Sequence, residues 1–316
     1  MLRYVLSRLS QAVLVIFVMS FLLFVLIGLM PGDPIENMFE GNPSLTPELI
    51  GQMRELYGLD QPITLRYWHW LMAALQGDFG YSSLYSRPVL TVLGPALLQT
   101  GKLLALTLMI SVPSAIILGA LAARKPNGLV DSAIGLFSFA AISMPNFWVS
   151  LLLIILFSVN LGWLPASGLP MTSDASFWLE LRHLILPVMV LVMFHVGPLI
   201  RYVRAAMIET LSADFVRTAR AKGLSEGTVI ARHAVRNALI PMITVLALSF
   251  GHLFSGALVI ETIFGMLGMG KTIYDAVGNI DFNLALVGLL LATVVVLISN
   301  LLADLAYAYL DPRITL

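Results

Sequence analysis

Cysteine is absent from the 316 residues, which removes disulfides, thiol nucleophiles and cysteine metal sites while leaving the redox compartment open. Charge is scarce as well: 11% of residues are charged against 59% hydrophobic, the wrong balance for a water-soluble fold of this length. Neither sign is in excess, since 18 Lys and Arg match 18 Asp and Glu, so nothing points to nucleic acid. Also missing are H-E-x-x-H, a G-x-S-x-G elbow and any group of His with carboxylates at metal-ligand spacing. No enzyme chemistry, no cofactor and no metal site are expected on this chain.

What is present is uncharged length. A bilayer core of roughly 30 Å requires about 20 residues of helix, because lipid cannot hydrogen-bond an open backbone. Six stretches lack Asp, Glu, Lys and Arg: Leu9–Gly32, Leu103–Ala123, Ser132–Ser173, His183–Ile200, Asn237–Ile260 and Phe282–Ala303. The third is apolar only through Phe157, whereas Asn160 to Pro170 carries two prolines and two glycines and reads as a loop, so it is counted as one span. Flanks 1–8, 124–131, 201–236 and 304–316 hold 12 basic and 6 acidic residues; the other three hold 6 basic and 12 acidic. The positive-inside rule then places both termini in the cytoplasm, a parity that an even number of spans satisfies. The first span exceeds a signal-peptide h-region, lacks a cleavage pattern and is expected to persist as an anchor.

The reading is all-α: a polytopic membrane protein of six transmembrane helices with both termini cytoplasmic and a small helical extracytoplasmic cap between spans 1 and 2. Residues 1–32 form the anchor, 33–102 the cap, 103–306 a five-span body with a cytoplasmic segment at 201–236, and 307–316 a tail. Within the cap, Thr46 and Pro47 predict a helix start and Gly58 its stop; a second helix is expected from Ile63 to Gln76. Its Tyr67, Trp68 and Trp70 suit either the headgroup boundary or packing onto the spans.

Seven of the 18 basic residues fall between Arg201 and Arg236. There Asp214 is placed to cap a short helix over Phe215 to Lys222, and Gly223 to end it in the left-handed conformation. About two turns of helix do not stand alone, so contacts must hold it. Ala219 and Gly223, four apart, offer a small-residue surface surrounded by Arg217, Arg220 and Lys222. A docking helix and a solvated basic loop are both compatible with these residues. A second helix is expected after Ser225, passing His233, Arg236 and Asn237 to reach the fifth span near Pro241.

The run from Asp214 to Ser225, continuing His233-Ala-Val-Arg-Asn-Ala-Leu-Ile-Pro241, resembles the cytoplasmic coupling segment of permease subunits of bacterial ABC importers, in the dipeptide, oligopeptide and nickel branch. The resemblance extends along the chain through Pro31-Gly-Asp-Pro34, Leu56-Tyr-Gly-Leu-Asp-Gln-Pro62, Gly77-Asp-Phe-Gly-Tyr-Ser82, Leu161-Gly-Trp-Leu-Pro165 and Leu310-Asp-Pro-Arg313. The general importer signature, Glu-Ala-Ala followed by Gly, is met only at Ala219 and Gly223, with Arg217 and Thr218 in place of Glu and Ala, a departure that the peptide branch shares. The resemblance implies a second homologous permease subunit, two ATP-binding subunits that hold ATP and Mg, an extracytoplasmic substrate-binding protein and a place in the bacterial inner membrane. It implies ATPase coupling through Asp214, Arg217, Ala219, Arg220, Lys222 and Gly223. Relatives of this kind carry dipeptides, oligopeptides, glutathione, metal chelates and glycans.

Gly265-Met-Leu-Gly-Met-Gly-Lys271-Thr272 matches the phosphate-cradling pattern G-x-x-x-x-G-K-[ST], which functions between a strand and a helix of a soluble nucleotide domain. Here it follows a span on the outer side, and a glycine-rich turn is expected instead. Intramembrane polar residues are costly and often functional. Ser143 and Asn146 flank the Met144-Pro145 kink, His195 lies in span four, and Ser249, His252 and Ser255 lie in span five; they are the candidates for a translocation path, against simple interhelical hydrogen bonding. Pro187, Gly197 and Pro198 are expected to break span four, and Lys102, Glu261 and Asp304 to sit at span ends within reach of water. The competing function is a solute carrier driven by an ion gradient, disfavoured by the absence of carboxylates within the spans.

Overall fold

A computed structural model describes residues 2–30, 47–56, 60–168, 176–238, 245–246, 254 and 256–310. Thr46, Gly58, Pro241, Ser249, His252 and Ser255, named above, lie outside them. The chain divides into two compact units, Met1–Gln99 with Leu267–Leu297, and Thr100–Met266 with Ile298–Leu316.

In the first unit, α1 (Leu2–Gly28) is a long apolar helix with Val13, Leu14 and Leu26 exposed, as expected of a helix whose solvent is lipid or another subunit. Helix α2 (Pro47–Leu56) starts on its proline, which suits the first helical position because that amide has no partner within the helix. Helix α3 (Ile63–Leu75) packs on α1 through Tyr67, whose hydroxyl lies 2.8 Å from Ser20 Oγ. Phe17, Phe21 and Phe24 set their edges against the Tyr67 ring at 6.4, 5.1 and 5.6 Å. The alternatives for the cap aromatics therefore divide: Tyr67 is a packing residue, while Trp68 is 55% exposed.

A two-stranded hairpin follows, β1 (Tyr81–Ser82) antiparallel to β2 (Arg87–Pro88), and leads into α4 (Val89–Arg124). Asp281 secures the hairpin. Its carboxylate accepts from Ser82 Oγ at 2.5 Å and from the Leu84 amide at 3.0 Å, and its other oxygen caps α11 (Phe282–Leu310) by accepting from the Leu284 amide at 3.1 Å. Gly80 is required beside this junction: its φ is +79° and a Cβ there would meet Asn283 Nδ2 at 2.8 Å.

The second unit is built around α7 (Phe177–Ser212). An 18-residue window of this helix is 61% buried, against 11 to 33% for the other apolar helices, so α7 is its central element. Val196, Leu199, Ile200, Val203 and Met207 form a core with Ala115 and Ala123 of α4. A Cβ on Gly119 would meet Val203 at 2.7 Å, and one on Gly197 would meet the Ser138 carbonyl at 2.9 Å, so both glycines permit close backbone approach. The helix runs without interruption through Pro187 and Pro198, contrary to the expected break. Burial against neighbouring helices supports the turns that each proline deprives of a hydrogen bond.

The third apolar stretch departs from a single straight span. Helix α5 (Leu129–Ser143) and helix α6 (Asn146–Leu153, continuing as a π-helix over Ile154–Asn160) meet at 101°. Met144 at ψ 136° is extended because the residue before a proline is forced out of the helical region, and Pro145 at ψ 135° is extended as the residue that caps the start of α6. Four described helices are long and apolar enough to cross a membrane, and the count reaches five if the bent pair is one broken span instead of a re-entrant loop. Most of the stretch expected as the fifth span lies outside the described residues.

Candidate functional site

The basic segment folds as two short helices. Helix α8 (Asp214–Ala221) starts at Asp214, one residue earlier than expected, with Ala213 in the capping position and no side-chain cap. Asp214 is thus inside the first turn, where its charge favours the amide end of the helix and pairs with Arg217 at 3.4 Å. Gly223 ends the helix at φ +78°, with open space around the position of a Cβ. After Ser225, α9 comprises Glu226–Thr228, a π-helical turn over Val229–Ala234 and Val235–Ala238.

Periodicity decides which face of α8 is free. Val216 and Ala219, three apart, are buried against Val229 of α9 and Leu211 of α7. Burying Val216 in this way contributes about 1.5–3 kcal/mol, enough to hold two turns that are unstable in isolation. Ala219 therefore faces inward and does not form an outer surface with Gly223. The outward face carries Phe215 at 45% and Leu224 at 40% exposure, among exposed Arg217 and Lys222. Sequence reasoning passed over these two residues. An apolar residue at the first turn of a polar helix and another just beyond its stopping glycine were the signals available.

Arg220 is committed within the chain. Its Nη2 and Nε donate to the two Glu226 carboxylate oxygens at 2.7 and 3.1 Å, which closes α8 onto α9 in a two-pronged ion pair. The shared hydrogen bonds hold the Glu226 carboxyl below its ordinary value and raise the Arg220 guanidinium. A second such pair joins α7 to α5: Arg204 Nε and Nη2 donate to Asp131 at 2.5 and 2.7 Å, and Asp131 also accepts from the Asn127 amide at 2.7 Å.

Of the membrane-embedded candidates, Ser143, Asn146 and His195 fall among the described residues. Ser143 and Asn146 flank the bend, Ser143 exposed and Asn146 accepting from the Phe147 amide at 2.9 Å. His195 is buried in α7, its Nδ1 3.0 Å from Ser111 Oγ of α4, the geometry of a helix-to-helix hydrogen bond. Glu261 corrects the expectation of a water-reaching side chain at a span end: it is fully buried and accepts from the Thr100 hydroxyl. Lys102 does stay at the surface, 3.3 Å from Glu180, each side chain 40% exposed.

The phosphate-loop pattern has no strand before it. Helical residues 256–263 precede it, Gly265 turns the chain at φ +60°, and Gly268 leads into α10 (Met269–Gly278). Met269 and Gly270 are buried, Lys271 Nζ donates to Asp275 at 2.6 Å, and Thr272 Oγ1 donates to the Gly268 carbonyl at 2.7 Å. The lysine and the hydroxyl that would hold a phosphate and its metal are thus engaged locally, as a turn requires.

Residues 115–316 match the family described as binding-protein-dependent transport system inner membrane component, and residues 1–116 match the N-terminal segment of such membrane components. A Brucella suis protein carrying a peptide-permease name is 38% identical over 320 residues, covering 99% of each chain. The oligopeptide transport system permease protein AppB of Bacillus subtilis is 36% identical over 320 residues, again 99% of each. A Sinorhizobium fredii protein named as a peptide ABC transporter permease is 36% identical over 312 residues, 98% of each. With long apolar helices and a full-length match of this kind, the chain belongs to the binding-protein-dependent transport system inner membrane components and is a multi-pass permease subunit of an ABC importer in the bacterial inner membrane.

Proposed function

We propose that α8 is the element through which ATP-hydrolysing subunits move this permease, and that the chain forms half of a six-plus-six-span pathway with a second homologous permease. The observation that carries the reading is the two-sidedness of α8. One face is pinned by Val216, Ala219, Val229 and the Arg220–Glu226 pair, while the other exposes Phe215, Leu224, Arg217 and Lys222. A short helix braced from behind transmits a displacement instead of absorbing it, so closure of two ATPases would rock the attached spans as a rigid body. ATP and Mg would be held by those partners, and a substrate-binding protein would deliver cargo to the outer face. The Brucella and Bacillus relatives carry peptide and oligopeptide names, and peptides or similar small solutes are the proposed cargo. The distribution of basic residues supports a cytoplasmic position for both termini.

Asp214, Arg217 and Lys222 would supply charge at the docking surface, Gly223 the sharp exit and Arg220 the brace. The path assignment of Ser143, Asn146, Ser249, His252 and Ser255 is kept as a proposal; His195 is better suited to joining α4 and α7. In membranes that hold the other subunits, Phe215→Glu should lower co-purification of the ATPases about tenfold or more, with insertion unchanged. Gly223→Asp, which adds a negative side chain in open space on a basic surface, should act in the same direction. Normal recovery of the ATPases with both variants rejects the docking assignment.

A further inference from the structure

We propose that the cleft beside the cytoplasmic end of α7 is a binding site for an anionic phospholipid. The cleft, of about 460 Å³, is lined by Ile142, Pro198, Arg201, Tyr202, Arg204 and Ala205. Pro198, Arg201, Tyr202 and Ala205 stand at i, i+3, i+4 and i+7, one exposed stripe of a single helix.

Depth selects the occupant. Arg201 is the first charged residue after 18 uncharged ones, His183 to Ile200, a length of about 27 Å that nearly matches the hydrocarbon core. Its guanidinium therefore lies at headgroup level, with Tyr202 beside it, the aromatic that favours this boundary. Arg201 forms no hydrogen bond or ion pair among the described residues. Arg204 is half-buried and fixed: Asp131 occupies its Nε and Nη2, which leaves the Nη1 donors for another acceptor. One free and one pre-oriented guanidinium match the tetrahedral oxygens of a phosphodiester. Ile142 and Pro198 supply the apolar wall that an acyl chain requires and a free phosphate does not. A cytoplasmic leaflet rich in negative headgroups is the supply of such a ligand.

The test is lipid retention by the assembled complex in nanodiscs of equal phosphatidylglycerol and phosphatidylcholine, followed by delipidation and mass spectrometry of what remains. The wild type should retain phosphatidylglycerol over phosphatidylcholine by about fivefold, Arg201→Gln should lose most of that preference, and Arg201→Lys should keep part of it. Arg232→Gln, which removes an exposed basic residue elsewhere on the cytoplasmic segment, should change nothing. Equal preference in Arg201→Gln, or an equal loss in Arg232→Gln, overturns the proposal. So does displacement of the retained lipid by millimolar inorganic phosphate, which would mark a free-anion site. Crosslinking of Tyr202→Cys to the second permease in high yield would show that protein covers the cleft and would also overturn it. The readout is lipid and not ATPase recovery, so failure of α8 docking leaves this result interpretable.

Discussion

Asp281 shows how much one side chain organises. Buried to 2% exposure, it accepts from Ser82, Leu84 and Leu284, and so ties a hairpin to the start of a long helix nearly 200 positions away in sequence. Asp281→Ala removes a helix cap and strands a buried hydroxyl and an amide, at a cost of about 2–4 kcal/mol. Asn is a poor substitute, because whichever way its side chain is turned its amide nitrogen would face a backbone amide, that of Leu84 or that of Leu284, donor to donor. We expect Asp281→Ala to lower the melting temperature and to open residues 77–88 to protease, with Asp281→Asn intermediate; unchanged protection would contradict the clamp. Half of this was readable in advance. An aspartate immediately before an apolar helical run is a start signal, and the Gly77–Ser82 motif was visible. Their meeting was not, since a pairing across such a separation leaves no local pattern. Glu261 was misread for a related reason: its depth depends on the Thr100 hydroxyl of another helix, while the sequence shows only that it follows an apolar stretch.

At the scale of elements, local chemistry dictated more. Gly223 stops α8 in the left-handed conformation as anticipated, and Ser225 precedes the next helix, because both depend on neighbouring backbone alone. The inward turn of Ala219 was missed because a small residue on a two-turn helix does not reveal which neighbour it touches; the Val216–Val229 contact decides it. The 101° bend was underestimated as a kink, since Met144-Pro145 announces a break but not its angle. The brace between α8 and α9 yields a test at this scale. Arg220→Glu alone sets two carboxylates against each other and should uncouple ATP hydrolysis from uptake, lowering uptake per ATP severalfold. Adding Glu226→Arg restores an opposite-charge pair and should recover most of it. A double variant as impaired as the single one would assign Arg220 to direct partner contact. Because Glu226 is held below its ordinary value, the contribution of the pair is complete above that value and fades only as pH falls through the lowered one. Coupling should therefore show no dependence on this pair between pH 6 and pH 8.

For the whole molecule, the question is where the free energy for transport enters. An ion-driven carrier would need a titratable group that alternates between the two sides. Among the described residues the buried carboxylates are Asp131, Glu261 and Asp281, and each has a fixed structural partner: Arg204 for Asp131, the Thr100 hydroxyl for Glu261, and Ser82 with two backbone amides for Asp281. An ATP-driven permease needs no such group, only a rigid linkage from the cytoplasmic face to the spans. The continuous α7, packed along its length and joined through Ala213 to α8, has that form. In proteoliposomes, labelled peptide uptake should require ATP, both ATPases, the second permease and the binding protein together. Ionophores that collapse proton and sodium gradients should leave the rate unchanged. The chain reconstituted alone should be inert under every gradient, because its energy source would lie on other subunits. Uptake by the chain alone, abolished by an ionophore and by Glu261→Gln, would relocate the driving force into the membrane and make α8 a passive connector.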